Sequence, residues 1–133
     1  MIGAAIAARA EALVGVPFRL HGRDPSTGLD CVGVVAVALS DGKRPIVAPT
    51  GYALRNRSIA DRLDCAARAG LIDVDGSVAP GDILLVRPGP GQHHLLVAAA
   101  DNRFIHAHAG LRRVVSLPGP LPWPAIRHWR STR

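Results

Sequence analysis

Aromatic residues are scarce in this chain: two Trp, two Phe and one Tyr make up 4% of 133 residues. A core must therefore be packed by Ala, Val, Leu and Ile, and few rings are left to stack nucleic-acid bases. Cysteine is equally rare, with Cys31 and Cys65 too few for a disulfide framework. No run of about 18 apolar residues occurs, which excludes a membrane-spanning helix. Lysine is nearly absent, so the formal charge of +6 comes almost wholly from arginine. That balance favours anionic partners. The arginines are scattered without a dense basic run, so nucleic acid is not an expected partner. The apolar start Met1–Ala8 has no basic flank and is followed at once by Arg9 and Glu11. It reads as the first helix and not as an export signal.

Hydrophobic residues make up 48% of the chain, enough to bury one core, and the length suits a single domain over 1–133. Ile6, Ala10 and Leu13 repeat at helical spacing and predict a helix over 2–14, ended by Gly15 and Pro17. Residues 18–28 are mostly turn formers and read as a loop. Residues 31–39 are continuously apolar. A buried helix is the preferred reading, with a strand as the competitor because Val32, Val34, Val35 and Val37 are β-branched. Residues 43–57 read as a connecting loop. Ser58–Asp61 resembles a capping box opening a helix to about Ala69, which holds Cys65 as a small core thiol. A Schellman stop is expected at Gly70–Ile72. From Pro80 the pattern changes to strands at 82–87, 94–100, 103–108 and 112–117, joined by short loops as an antiparallel meander. A last strand is expected at 126–129. Helices first and strands second give an α+β class.

The chemistry centres on Gly28-Leu29-Asp30-Cys31-Val32-Gly33. Asp30 can cap the helix that follows. Cys31 then lies in the first turn, where unpaired N–H groups and the helix dipole favour a thiolate. Those N–H groups can also hold an oxyanion. A Cys that only packs at a helix start is the plain alternative. Four of six histidines cluster: His93, His94, His106 and His108. His94 and His106 share a sheet face only if their hairpin loop is odd. An odd loop is expected, with a register centred on Ala100 that sets the two opposite each other at about 4.5–5.5 Å. A Cys nucleophile, a His base and a third polar group orienting that base are the layout of thiol catalysis. No close-spaced Cys or His ligand pair supports zinc, so neither metal nor cofactor is expected.

Five segments together resemble the NlpC-type papain-like cell-wall cysteine peptidases. They are Gly15-Val16-Pro17-Phe18, Gly28–Gly33, Pro80–Leu85, His94–Val97 and Phe104–Ala107. The stretch Phe18–Pro25 and the ending His106-Ala107-His108 look most like the small branch encoded with phage tails and gene transfer agents. The resemblance implies N-terminal helices packed on an antiparallel sheet, and cleavage of peptidoglycan stem peptides, typically at the γ-D-glutamyl–diaminopimelate bond. It implies Cys31 as nucleophile, His94 as base and His106 as third residue, with His108 the alternative. Asp30, Phe18 and His21 are candidates for lining the site or aiding the oxyanion. Phe18 stands where the family usually has Tyr, and Val32 where it usually has Ser. Phage-type tail proteins are the implied partners. Synthesis in the cytoplasm, delivery by a particle and action in the periplasm or cell wall are the implied route. Two further readings share the fold: a peptidoglycan-binding or tail-assembly module without catalysis, and a thiol amidase or acyltransferase on lipid-like amides.

Overall fold

Asp30 starts the central helix by the route its side chain suggests. Its backbone is extended (φ −103°, ψ −171°) and its carboxylate accepts from the Gly33 N–H, opening the helix Cys31–Leu39. In the computed structural model, which describes residues 2–40, 70–89 and 92–132, this is the second helix, α2. Every residue of α2 except Val37 is buried, which explains its unbroken apolar run and decides helix over strand. The first helix, α1 (Ile2–Glu11), ends three residues earlier than expected and continues as turns to Gly15, whose φ is +95°. Arg9 donates from Nε to the Ala38 carbonyl at 2.8 Å, placing a cation at the C-terminal end of α2. The expected loop, helix and core Cys65 within 41–69 lie outside the described residues.

The segment expected as a loop between the helices contains a small hairpin, β1 (Arg23–Asp24) with β2 (Gly28–Leu29). Asp24 turns it by accepting from the Ser26 N–H and hydroxyl. The main sheet follows: β3 (Leu71–Asp73), β4 (Ile83–Val86), β5 (His94–Ala99), β6 (Arg103–His108), β7 (Arg113–Pro118) and β8 (Ala125–Ser131). Its order is β3-β8-β4-β5-β6-β7 and every pairing is antiparallel. The meander of four strands is as expected. Beyond it, β8 returns to pair with the outer side of β4. Gly70 has the left-handed φ (+80°) that the expected helix stop needs, and Leu71–Asp73 directly after it pairs with β8 as a strand that sequence reading did not foresee, with Leu71 buried against the core.

Strand alternation divides the sheet into two packed faces. Leu95, Val97, Ala99, Ile105 and Ala107 meet Ile6, Ala10, Val34, Val35 and Ala38 of the two helices. Leu84, Leu96, Ala98 and Phe104 face the other way, packed with Leu117 of β7 and with Leu121 and Trp123 of the chain between β7 and β8. A pair between Arg103 and Glu11 ties the end of α1 to the start of β6.

Candidate active site

The Cys31 arm is built from short-range contacts. The Asp30 carboxylate is buried (2% exposed) and accepts from the His21 N–H at 2.8 Å, the Gly33 N–H at 2.9 Å and Arg23 Nη1 at 2.9 Å. Asp30 therefore holds the 21–23 loop against the first turn of α2, and Arg23 balances its charge. It was expected to line the site; its carboxylate instead points into this network. Gly33 lets the loop come this close, because a Cβ there would sit 2.2 Å from the Gly22 carbonyl oxygen. His21 is half-buried with φ +63°, and its backbone N–H is what serves Asp30. Cys31 itself is 8% exposed and belongs to the core on the helix side. Asp30 takes the N–H groups of Gly33 and Val34, and the N–H groups of Cys31 and Val32 stand ahead of them at the helix start.

Backbone register carries this arm to one end of the sheet. Leu29 is bridged to Phe18, Pro17 is bridged to Arg113, and Arg113 pairs with His108 at the end of β6. In the antiparallel sheet that is the end at which β5 begins, with His94. Phe18 is half-buried and packs on the helix-side core. Val32, in the place of the usual Ser, is 4% exposed and is a core residue.

The two histidines meet, though not in the expected register. The β5–β6 hairpin pairs Val97 with Ile105, Ala98 with Phe104 and Ala99 with Arg103. The centre is thus Asp101, not Ala100. The loop is odd, as expected, but it comprises Ala100, Asp101 and Asn102, because Asp101 (φ +60°) and Asn102 (φ +55°) both adopt the left-handed conformation that such a turn needs. His94 and His106 keep a common face but become diagonal neighbours, a separation that long rings can bridge. His94 Nε2 lies 2.7 Å from His106 Nδ1, with the rings edge-on at 84°.

His106 is 3% exposed. Burial, assisted by the charge of His108, pushes its imidazole down to about 4. At neutral pH it is therefore uncharged, and its Nδ1 can accept a proton carried on His94 Nε2. The bond is strongest when His94 is an imidazolium. His108 is engaged elsewhere, where its Nδ1 accepts from the Leu111 N–H at 3.0 Å in the turn after β6. Its ring centre is 5.8 Å from that of His106. Sequence reasoning missed Arg23, whose partner lies across a turn, and Trp123, whose ring stands edge-on to both His94 and His106. Neither carries a periodic signal. Among the described residues no group of three or more His, Cys, Asp or Glu could hold a metal ion.

Neither a family model nor a curated protein sequence matches this chain. Solved structures do. The NlpC/p60 domain of the peptidoglycan hydrolase SagA matches at 27% identity over 98% of both chains, with a TM-score of 0.62. NlpC1 from Trichomonas vaginalis matches at 20% identity and a TM-score of 0.64 over 97% of this chain; this chain spans only 43% of its length. RipD from Mycobacterium tuberculosis, described as a non-catalytic NlpC/p60 domain protein adapted to binding peptidoglycan, matches at 16% identity over 100% of this chain and 98% of its own, with a TM-score of 0.63. Two helices packed on an antiparallel sheet, with a cysteine opening the second helix and a histidine pair across a hairpin, are set here in the papain-like fold of the NlpC/p60 domains.

Proposed function

We propose that this chain is a cysteine peptidase that hydrolyses peptidoglycan stem peptides at the γ-D-glutamyl–diaminopimelate bond. The observation that carries the reading is the 2.7 Å contact between His94 Nε2 and His106 Nδ1, at the sheet end to which the Cys31 arm is stitched. With Nε2 engaged by a neutral acceptor, His94 has Nδ1 for the thiol. The thiol proton passes to Nδ1, and the Cys31 thiolate attacks the amide carbonyl carbon. The oxyanion is met by the Cys31 backbone N–H at the helix start; one such donor is worth roughly 2.7–4 kcal/mol in the transition state. Nδ1 then protonates the departing amine as the C–N bond breaks. Water, giving its proton to the same nitrogen, releases the acyl group from sulfur. The positive charge suits stem peptides, which carry carboxylates. The Phe18–Pro25 stretch and His106-Ala107-His108 favour the phage-tail branch, with tail proteins as partners and delivery to the periplasm or cell wall by a particle.

Digestion of diaminopimelate-type peptidoglycan with the protein and with Cys31→Ala, followed by mass spectrometry, tests this. New amino termini on diaminopimelate with the unaltered protein and none with Cys31→Ala are expected. A second reading is a binding module without catalysis, favoured by Phe18 and Val32 at positions where the family usually carries hydroxyls and by the likeness to RipD. No released fragments, with the protein sedimenting with the sacculus, would establish it instead.

A further inference from the structure

The chain between β7 and β8 crosses the sheet face away from the helices, and Trp123 is its largest side chain there. The indole centre is 6.5 Å from that of His94 and 6.2 Å from that of His106, with interplanar angles of 85° and 81°. Because the histidine rings are themselves perpendicular, the three rings form a mutually edge-on set. One side chain thus spans both ends of the His94–His106 hydrogen bond. Rotation of either imidazole about its outer torsion would break that bond and change its edge-on contact with the indole. The half-buried indole thus borders both the half-buried His94 and the buried His106.

We propose that Trp123 is a positioning residue for the base: it holds the two imidazoles in one orientation and keeps water from the hydrogen bond between them. The role of the pair in catalysis rests on the function proposed above; the packing role of Trp123 does not. On the strands around His106 stand His94 on β5, bonded to it, His108 on β6 itself, whose charge acts on it, and Arg113 opposite His108 on β7. Trp123 adds no charge to this set. What it adds is cover, so its removal acts on His106 chiefly through hydration, which favours the protonated ring.

Trp123→Ala, Trp123→Leu and Trp123→Phe in the full chain test this by NMR titration of the histidine rings. In Trp123→Ala the His106 midpoint should rise by at least one pH unit from about 4. In Trp123→Phe it should stay within a few tenths of the parent value, and Trp123→Leu should fall between. If Trp123→Ala does not fold, the order of Leu and Phe decides. An unmoved His106 midpoint in folded Trp123→Ala, or in Trp123→Leu where only that variant folds, overturns the proposal. With peptidoglycan as substrate, kcat should drop by roughly 10–100-fold in Trp123→Ala at little-changed KM and return with Phe. Equal loss in Trp123→Phe and Trp123→Ala would also overturn it. A shifted midpoint in a protein that cleaves no peptidoglycan would support the packing role and remove the peptidase reading alone.

Discussion

Two buried aspartates anchor this molecule, and they are put together differently. Asp30 (2% exposed) and Asp82 (1% exposed) each accept a backbone N–H three residues away and each pair with an arginine. Among the partners of Asp30, His21 and Arg23 lie nine and seven residues away. Those of Asp82 lie 46 and 48 residues away: His128 Nε2 at 2.6 Å, and both Nε and Nη2 of Arg130 at 2.8 Å. The first cluster fixes one loop on one helix start and so positions a sulfur atom. The second fastens the entry to β4 onto β8. The same carboxylate chemistry thus serves geometry at the site in one case and closure of the sheet in the other.

Breaking the two clusters separately should separate these roles, and it gives the largest expected effect. Asp30→Ala removes the helix cap and the carboxylate that pairs with Arg23. It should cost about 3 kcal/mol of stability and lower kcat/KM for peptidoglycan by at least ~10²-fold per folded molecule. Asp82→Ala should lower Tm by roughly 5 °C and leave kcat/KM per folded molecule unchanged. Comparable activity losses in the two variants would dissolve the distinction.

Acid sharpens the same comparison by splitting it into two pH windows. His106 is held well below its ordinary value, so the unfolded chain binds the extra proton. Its contribution to stability is full above about 6.5, is lost as pH falls through the folded value of about 4, and amounts to about 3 kcal/mol. For Asp82, burial raises the carboxyl pKa. The hydrogen bonds from Arg130, the Ala79 N–H and His128, with the Arg130 charge, outweigh that and bring it below the ordinary value. Its contribution is therefore present above the unfolded carboxyl value and is lost only below it, at more acid pH. Urea melts at closely spaced pH values should show a first decline that disappears in His106→Ala and a second that disappears in Asp82→Ala.

Smaller effects probe the Asp30 side alone. Gly33→Ala sets a methyl against the Gly22 carbonyl and should cost about 1–3 kcal/mol. A cost near zero in thermal melts would mean that Asp30 does not hold the loop tightly. Phe18→Tyr, which supplies the hydroxyl usual in the NlpC-type peptidases that the sequence resembles, should change kcat/KM less than ~10-fold in steady-state assays.

What could be read from the sequence follows the same division between local and distant. The capped helix at Cys31 was legible because Asp30, Cys31 and Gly33 are adjacent and their demands agree. The meander was legible because its strands alternate between short turns. The hairpin register was misplaced by one residue because Asp101 and Asn102 both turn left-handed, which composition does not announce. The return of β8 to β4, the pairing of Leu71–Asp73 and the Asp82 cluster join residues far apart in the chain, and no spacing rule links them. Trp123 was visible only as an aromatic in a proline-rich tail. Its meaning appears once the sheet brings His94 and His106 beneath it.

The bridge from Pro17 to β7 has a consequence for how the molecule meets other copies of itself. As the last strand of the meander, β7 would present a row of unpaired backbone groups, an invitation to edge-to-edge aggregation. The segment Gly15–Phe18 lies along that row. Gly15 donates to the Val114 carbonyl, Val114 donates to that of Val16, and Phe18 donates to that of Arg112. Pro17 sits in the middle with no N–H to offer a newcomer. The stretch that delivers the cysteine arm therefore also guards the flank of the sheet, so a mutation that loosens it should harm solubility as well as catalysis.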